Sequence, residues 1–193
     1  MKITHTAVAA ALGLAFCGAA FAQAGTVQRD VNQQERIEQG LKSGQLTTRE
    51  ASKLEREESR VERDQARAMQ DGKLSPAEKA RLAREQNRVS RDIYREKHDA
   101  QTGNPSSASS QRMQADVQRN INQQSRIEQG VKSGALTNRE TARLERGEAR
   151  IDRKEARAGA NGNVSAREQR RVQKAENRES RRIYKEKHDA QSK

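Results

Sequence analysis

Cysteine occurs once in this 193-residue chain and tryptophan not at all, while phenylalanine, tyrosine and proline appear twice each. A lone Cys17 excludes an internal disulfide framework and a thiolate metal cluster. Aromatic residues make up 2% of the chain, so there is no base-stacking platform, and sequence-specific recognition of nucleic acid is not expected. No apolar run reaches the length a membrane span needs, and large aliphatic residues are sparse throughout. Without a nucleophilic cysteine, a paired acid/base constellation or a glycine-rich phosphate loop, the sequence predicts no enzyme, no cofactor and no metal ligands.

What is present is charge and helix propensity. Lys and Arg number 39 against 27 Asp and Glu, a formal charge of +12. The abundant residues are Ala, Glu, Gln, Lys and Arg, all strong helix formers. Few apolar side chains combined with high helix propensity predict an all-α chain of exposed helices.

Residues 1–22 read as a secretory signal peptide. Lys2 supplies the positive end, Ala7 to Phe16 the apolar stretch, and Ala20-Phe21-Ala22 the small residues before a cleavage point. Leu14-Ala15-Phe16-Cys17 is a weaker match to a lipoprotein box, because Phe16 is too bulky beside the cysteine. Cleavage after Ala22 removes the only cysteine and, among charged residues, only Lys2, leaving 38 of the 39 Lys and Arg and a charge of +11. The expected product is soluble and lies in the periplasm or outside the cell.

The remainder is one segment written twice. Residues 27–101 and 117–191 align without a gap, and 43 of the 75 positions are identical. Each copy contains two loops of the form Gly-x-Leu-Ser/Thr-x-x-Glu, at Gly44 to Glu50 and Gly72 to Glu78. Their counterparts are Gly134 to Glu140 and Gly162 to Glu168, with Val164 in the leucine position. Gly tolerates the left-handed conformation that ends a helix. The hydroxyl residue and the Glu three positions on form a capping box for the next helix, and Pro76 suits a first helical position. Three helices per copy follow, one short and two long: near 27–42, 47–70 and 75–99, then 117–132, 137–160 and 165–189. They should pair as thin antiparallel hairpins, one per repeat, joined by a flexible polar linker over 102–116. Large apolar residues such as Leu54, Val61, Leu82 and Val89 recur about once per heptad, half the density of a normal core-facing stripe. Each hairpin is therefore expected to lean on another copy, within the chain or in a homodimer.

The sharpest functional candidate is a pair of basic rows. Arg49, Lys53, Arg56, Arg60, Arg63 and Arg67 step by three and four along one helix, and Arg81, Arg84, Arg88, Arg91 and Arg95 along the next. The second copy repeats them as Arg139, Arg143, Arg146, Arg150, Arg153 and Arg157, then Arg171, Lys174, Arg178, Arg181 and Lys185. All eleven positions stay cationic between copies. The rows sit opposite Leu54 and Val61 on a helical wheel and should face water. A solubilising face and a surface for anionic envelope components, nucleic acid backbone or acidic unfolded protein both fit this pattern.

Two further motifs read as local structure. Asp71-Gly72 to Glu78 echoes half of an EF-hand, but Arg67 and Met69 fall on the first ligand positions and cannot bind calcium. His98 and His188 close the two copies; neither has a second ligand on its own helix face, and a weak site shared between copies is the remaining metal reading.

The string Ile-x-x-Gly-x-x-x-Gly-x-Leu-Thr-x-x-Glu, at Ile37 to Glu50 and Ile127 to Glu140, resembles a segment of small exported proteobacterial proteins of unassigned function. The exported, basic helical chain with Leu-Thr-x-x-Glu steps also resembles the Spy and CpxP periplasmic chaperones. That resemblance implies ATP-independent holding of unfolded clients in a helical cradle during envelope stress. A non-enzymatic, chaperone-like or envelope-stress binding protein is the expectation, with polyanion binding or a structural spacer as the alternatives.

Overall fold

The computed structural model describes residues 15–189, and among these all regular structure is helical. The helices are α1 (Ala15–Ser43), α2 (Thr48–Ala68), α3 (Pro76–Lys97), α4 (Ala108–Ser133), α5 (Asn138–Ala158) and α6 (Ala166–Lys187). Residues 1–14 of the expected leader lie outside the described residues; the leader's last residues fall within the span of α1. No helix among the described residues is long and apolar enough to cross a membrane.

Local chemistry sets the boundaries. Thr47, Ser75, Thr137 and Ser165 each accept the N–H of a Glu three residues on, and that Glu returns a carboxylate to the cap, so all four capping boxes form. Gly44 and Gly134 adopt φ values of 78° and 77°, which a residue with a Cβ reaches only at a cost. The turn they create folds Leu46 and Leu136 back over the preceding helix, with the Leu46 N–H donating to the Gly40 carbonyl at 2.9 Å.

The helix lengths and the linker depart from expectation. The first helix of each half is the longest, at 29 residues in α1 and 26 in α4, against 21 or 22 in the others. The segment 102–116 is only in part a linker, because α4 starts at Ala108 under a Ser107 cap. Two forces order it. Met113 and Val117 are fully buried, and the Gly103 N–H donates to the Gly44 carbonyl at 2.8 Å while Ser109 Oγ accepts the Val164 N–H at 2.8 Å.

Nor are the halves two separate hairpins. The most extensive helix contacts run between halves, α2 against α5 and α1 against α4. Both pairs are antiparallel. In the first, Arg49 reaches the Asn161 carbonyl, Ser59 Oγ donates to the Ala149 carbonyl at 2.9 Å, and Asn138 reaches the Gly72 carbonyl. In the second, Ala24 and Val27 cluster with Ile127 and Val131, and Leu41 clusters with Met113 and Val117. Ser59 and Ala149 are repeat-equivalent positions, so the two halves are related by an approximate two-fold axis near that bond. The outer helices pack on their own half, α3 on α1 and α2, α6 on α4 and α5. Apolar clusters drawn from both halves hold the ends together. The half-strength stripe is thereby explained: the other half supplies the partner surface, and much of the buried face is not apolar.

Candidate functional site

The basic rows face water. Of the 22 row positions, all are exposed except Arg63 and Arg153, which are half-buried. Some are neutralised locally: Arg67 and Arg81 both pair with Asp64, at 3.1 and 3.0 Å, and Arg81 also with Glu85 at 3.0 Å. Arg95 pairs with Asp92, and Lys53 and Arg143 lie against Glu96 and Glu186.

The second half strips that neutralisation from one place. The positions of Asp64 and Glu85 are occupied by Lys154 and Ala175. A cleft of about 450 Å³ opens between α5 and α6 there, lined by Lys154, Arg157, Arg171, Lys174 and Arg178. None of these five has a carboxylate within ion-pair distance among the described residues. The one acid lining the cleft, Glu168, is held by its capping box with Ser165. Partial burial, and after it the charges of Arg178 and Arg150, push the Lys154 ammonium below its ordinary pKa.

The histidines do not meet. His98 and His188 cap α3 and α6, each stacked on a tyrosine one turn back, Tyr94 at 4.1 Å and Tyr184 at 4.2 Å. Lys97 lies beside Gln39 at the end of α1 and Lys187 beside Gln129 at the end of α4. Because α1 and α4 are antiparallel, the two histidines sit at opposite ends of the bundle, and no shared site forms. The Asp71 and Asn161 side chains accept N–H bonds from Lys73 and Asn163, at 2.8 Å each, and so build turns in the EF-hand-like loops.

Beneath the basic exterior the bundle is acidic. Fourteen of the 27 Asp and Glu residues are buried, and no Lys or Arg is buried among the described residues. Glu55, Glu58, Glu62 and Gln65 line one face of α2 at steps of three and four; Glu145, Glu148, Asp152 and Glu155 do the same on α5. These faces meet α1 and α4, which answer with amides. Gln34 donates to Glu55 at 3.0 Å, Gln124 to Glu62 at 2.6 Å, and Asn120 to Glu155 at 2.9 Å and Asp152 at 3.3 Å. Asp30 takes Gln65 and Gln86 at 2.7 Å each. The acid–amide polarity reverses between halves: Asp30 with Gln65 in one is Asn120 with Glu155 in the other.

Burial drives the carboxyl pKa values up. Asp30, Glu55 and Asp116 rise to about 7, and Glu176 to about 8. Glu58, Glu62, Glu145, Glu148, Asp152 and Glu155 rise well above the ordinary range, because burial comes first and neighbouring carboxylates add to it. Three carboxylate groups are close enough to share a metal ion: the buried Glu55–Asp152–Glu155, and the repeat-related Glu50–Glu96–Asp99 and Glu140–Glu186–Asp189 near the bundle ends.

This interior was not among the sequence expectations. Its signal lay in the sequence: Glu55, Glu58 and Glu62 keep acidic partners in Glu145, Glu148 and Asp152, whereas Glu57 and Asp64 become Gly147 and Lys154. Comparison with protein-family models, curated proteins and solved structures finds no match for this chain. Fold and site together define an all-helical protein with a cationic exterior and a carboxylate-lined interior.

Proposed function

We propose that this is a non-enzymatic, exported binding protein for polyanions, anchored at the α5–α6 cleft and extended by the arginine rows. The carrying observation is the group of five cations around one concavity, none of them in an ion pair among the described residues. Holding Lys154, Arg157, Arg171, Lys174 and Arg178 together costs electrostatic energy that a phosphate-bearing ligand would offset. The exported setting rests on the leader over residues 1–22, and the natural ligands there are anionic lipid headgroups or lipopolysaccharide. A cradle for apolar client segments finds less support, because Tyr94 and Tyr184, each 61% exposed, are the only exposed large apolar residues among those described. The four Leu/Val-Ser/Thr-x-x-Glu steps that underlie the chaperone resemblance all act as capping boxes here. Clients of acidic character would use the same rows.

Co-sedimentation of the full chain with phosphatidylglycerol vesicles, lipopolysaccharide or duplex DNA tests the reading. Binding should weaken steeply between low and physiological salt, as expected for screened surface charge. Replacing Arg171, Lys174 and Arg178 by Gln should weaken it by about tenfold or more, since every cation removed from a phosphate takes salt-dependent affinity with it. Suppression of client aggregation that survives high salt and the triple substitution would favour the chaperone alternative.

A further inference from the structure

We infer that the bundle interior binds one hard di- or trivalent metal cation between α2 and α5, ligated by Glu55, Asp152 and Glu155. The candidate oxygens of these three side chains lie within 4.8 Å of one another. Each carboxylate is held by an amide on one of its oxygens. Gln34 holds Oε2 of Glu55, while Asn120 holds Oδ1 of Asp152 and Oε2 of Glu155. The opposite oxygens of Glu55 and Glu155, Oε1 in each, are buried and meet no hydrogen-bond donor, while Asp152 also bonds the Glu62 carboxyl. In Glu55 and Glu155, one oxygen held by an amide beside one left bare is the arrangement in which outer partners orient metal ligands.

A second observation is independent of the triad. Glu58, one turn beyond Glu55, is 1% exposed, and neither of its carboxylate oxygens has a donor. The charges that act most strongly on it are other acids, Asp30, Glu55, Asp152 and Glu57. Buried charge without a counter-charge is strongly unfavourable, so Glu58 and the three ligands can ionise in this interior only beside a cation, which an ion at the triad would supply.

The donor set selects the class of metal. It contains only carboxylate oxygen, with no His or Cys, which suits magnesium, calcium, manganese or a lanthanide and disfavours zinc and copper. The approximate two-fold axis does not generate a second equal site, because Gln65, committed to Asp30, stands where the other half has Glu155. One ion per chain is therefore expected.

The test is isothermal titration of the chelator-stripped full chain with calcium, magnesium, manganese and terbium chlorides, with thermal melting in parallel. Saturable binding of about one ion, with a higher melting temperature, is the expected result for at least one of these. Glu155→Gln copies the residue already accommodated at Gln65 and should fold. It should weaken the ion at least tenfold and abolish the thermal shift, while the metal-free melting temperature stays equal or rises. Glu58→Gln provides a second interior variant with the same expected loss of thermal shift. Glu96→Gln, which dismantles the outer Glu50–Glu96–Asp99 group, should leave the ion in place. No saturable binding, or binding abolished by Glu96→Gln and kept with Glu155→Gln, would overturn the inference.

Discussion

A methyl group at Gly40 would stand 2.6 Å from the Leu46 side chain, and one at Gly130 equally close to Leu136. That close approach, with the left-handed turn at Gly44, explains the Gly-x-x-x-Gly-x-Leu string in physical terms: one glycine makes room for the leucine, the other turns the chain to deliver it. Gly40→Val should destabilise by about 1–3 kcal/mol through overpacking, and Leu46→Ala by about 2–5 kcal/mol through the cavity it leaves, both read by urea denaturation. The loop chemistry was legible at this scale. The acids were not, because an isolated Glu on a helix reads as a solvent-facing residue, and only Gln34, Gln124 and Asn120 on other helices reveal that Glu55, Glu62 and Glu155 point inward.

At the scale of elements, α5 and α6 differ from α2 and α3 by substitutions that act as pairs. Glu57 and Val89 become Gly147 and Glu179, moving a carboxylate from the inner helix to the outer one, where it rests over the glycine. Asp64 and Glu85 become Lys154 and Ala175, which removes the partners of Arg67 and Arg81 and creates the cationic cleft. Lys154→Asp should therefore rebuild ion pairs with Arg157 and Arg171 and weaken polyanion binding by about tenfold. The gain in stability should be small, about 0–1 kcal/mol, because the pairs are exposed. A salt-titrated binding assay with a thermal melt separates the two effects.

For the whole molecule, the segregation of charge matters more than its sum. With half of the acids inside and the cations outside, the surface is more positive than the net +12 conveys. The interior acids also set a pH dependence. Asp30 faces Gln65, Gln86 and Arg29; Glu55 faces Gln34 and Asp116; Glu176 faces Asp116 and Arg119. The folded chain keeps protons up to about 7 on Asp30 and Glu55 and about 8 on Glu176, which the unfolded chain releases near the ordinary 3.8 to 4.5. Metal-free stability should thus be full below the unfolded values and fall as pH rises through about 8. The capping carboxylates Glu78 and Glu168 are shifted down and act oppositely, losing their contribution as pH falls through their folded values. A series of melts from pH 4 to 9 should show a mildly acidic maximum and a decline toward alkaline pH. A melting temperature that climbs steadily to pH 9 without metal would contradict the burial of these acids.

Composition, repeat spacing and capping chemistry determined on their own that the chain is helical, where α2, α3, α5 and α6 begin, and which cations face water. Each of those properties depends on residues close together along the chain. The docking of the two halves through α2 with α5 and α1 with α4, and the ordering of 108–116 as helix, were decided only by the tertiary structure. So was the inward turn of the acids. Whether a carboxylate faces water or an amide depends on another helix, 21 to 62 residues away along the chain, and no local pattern encodes which surface arrives there.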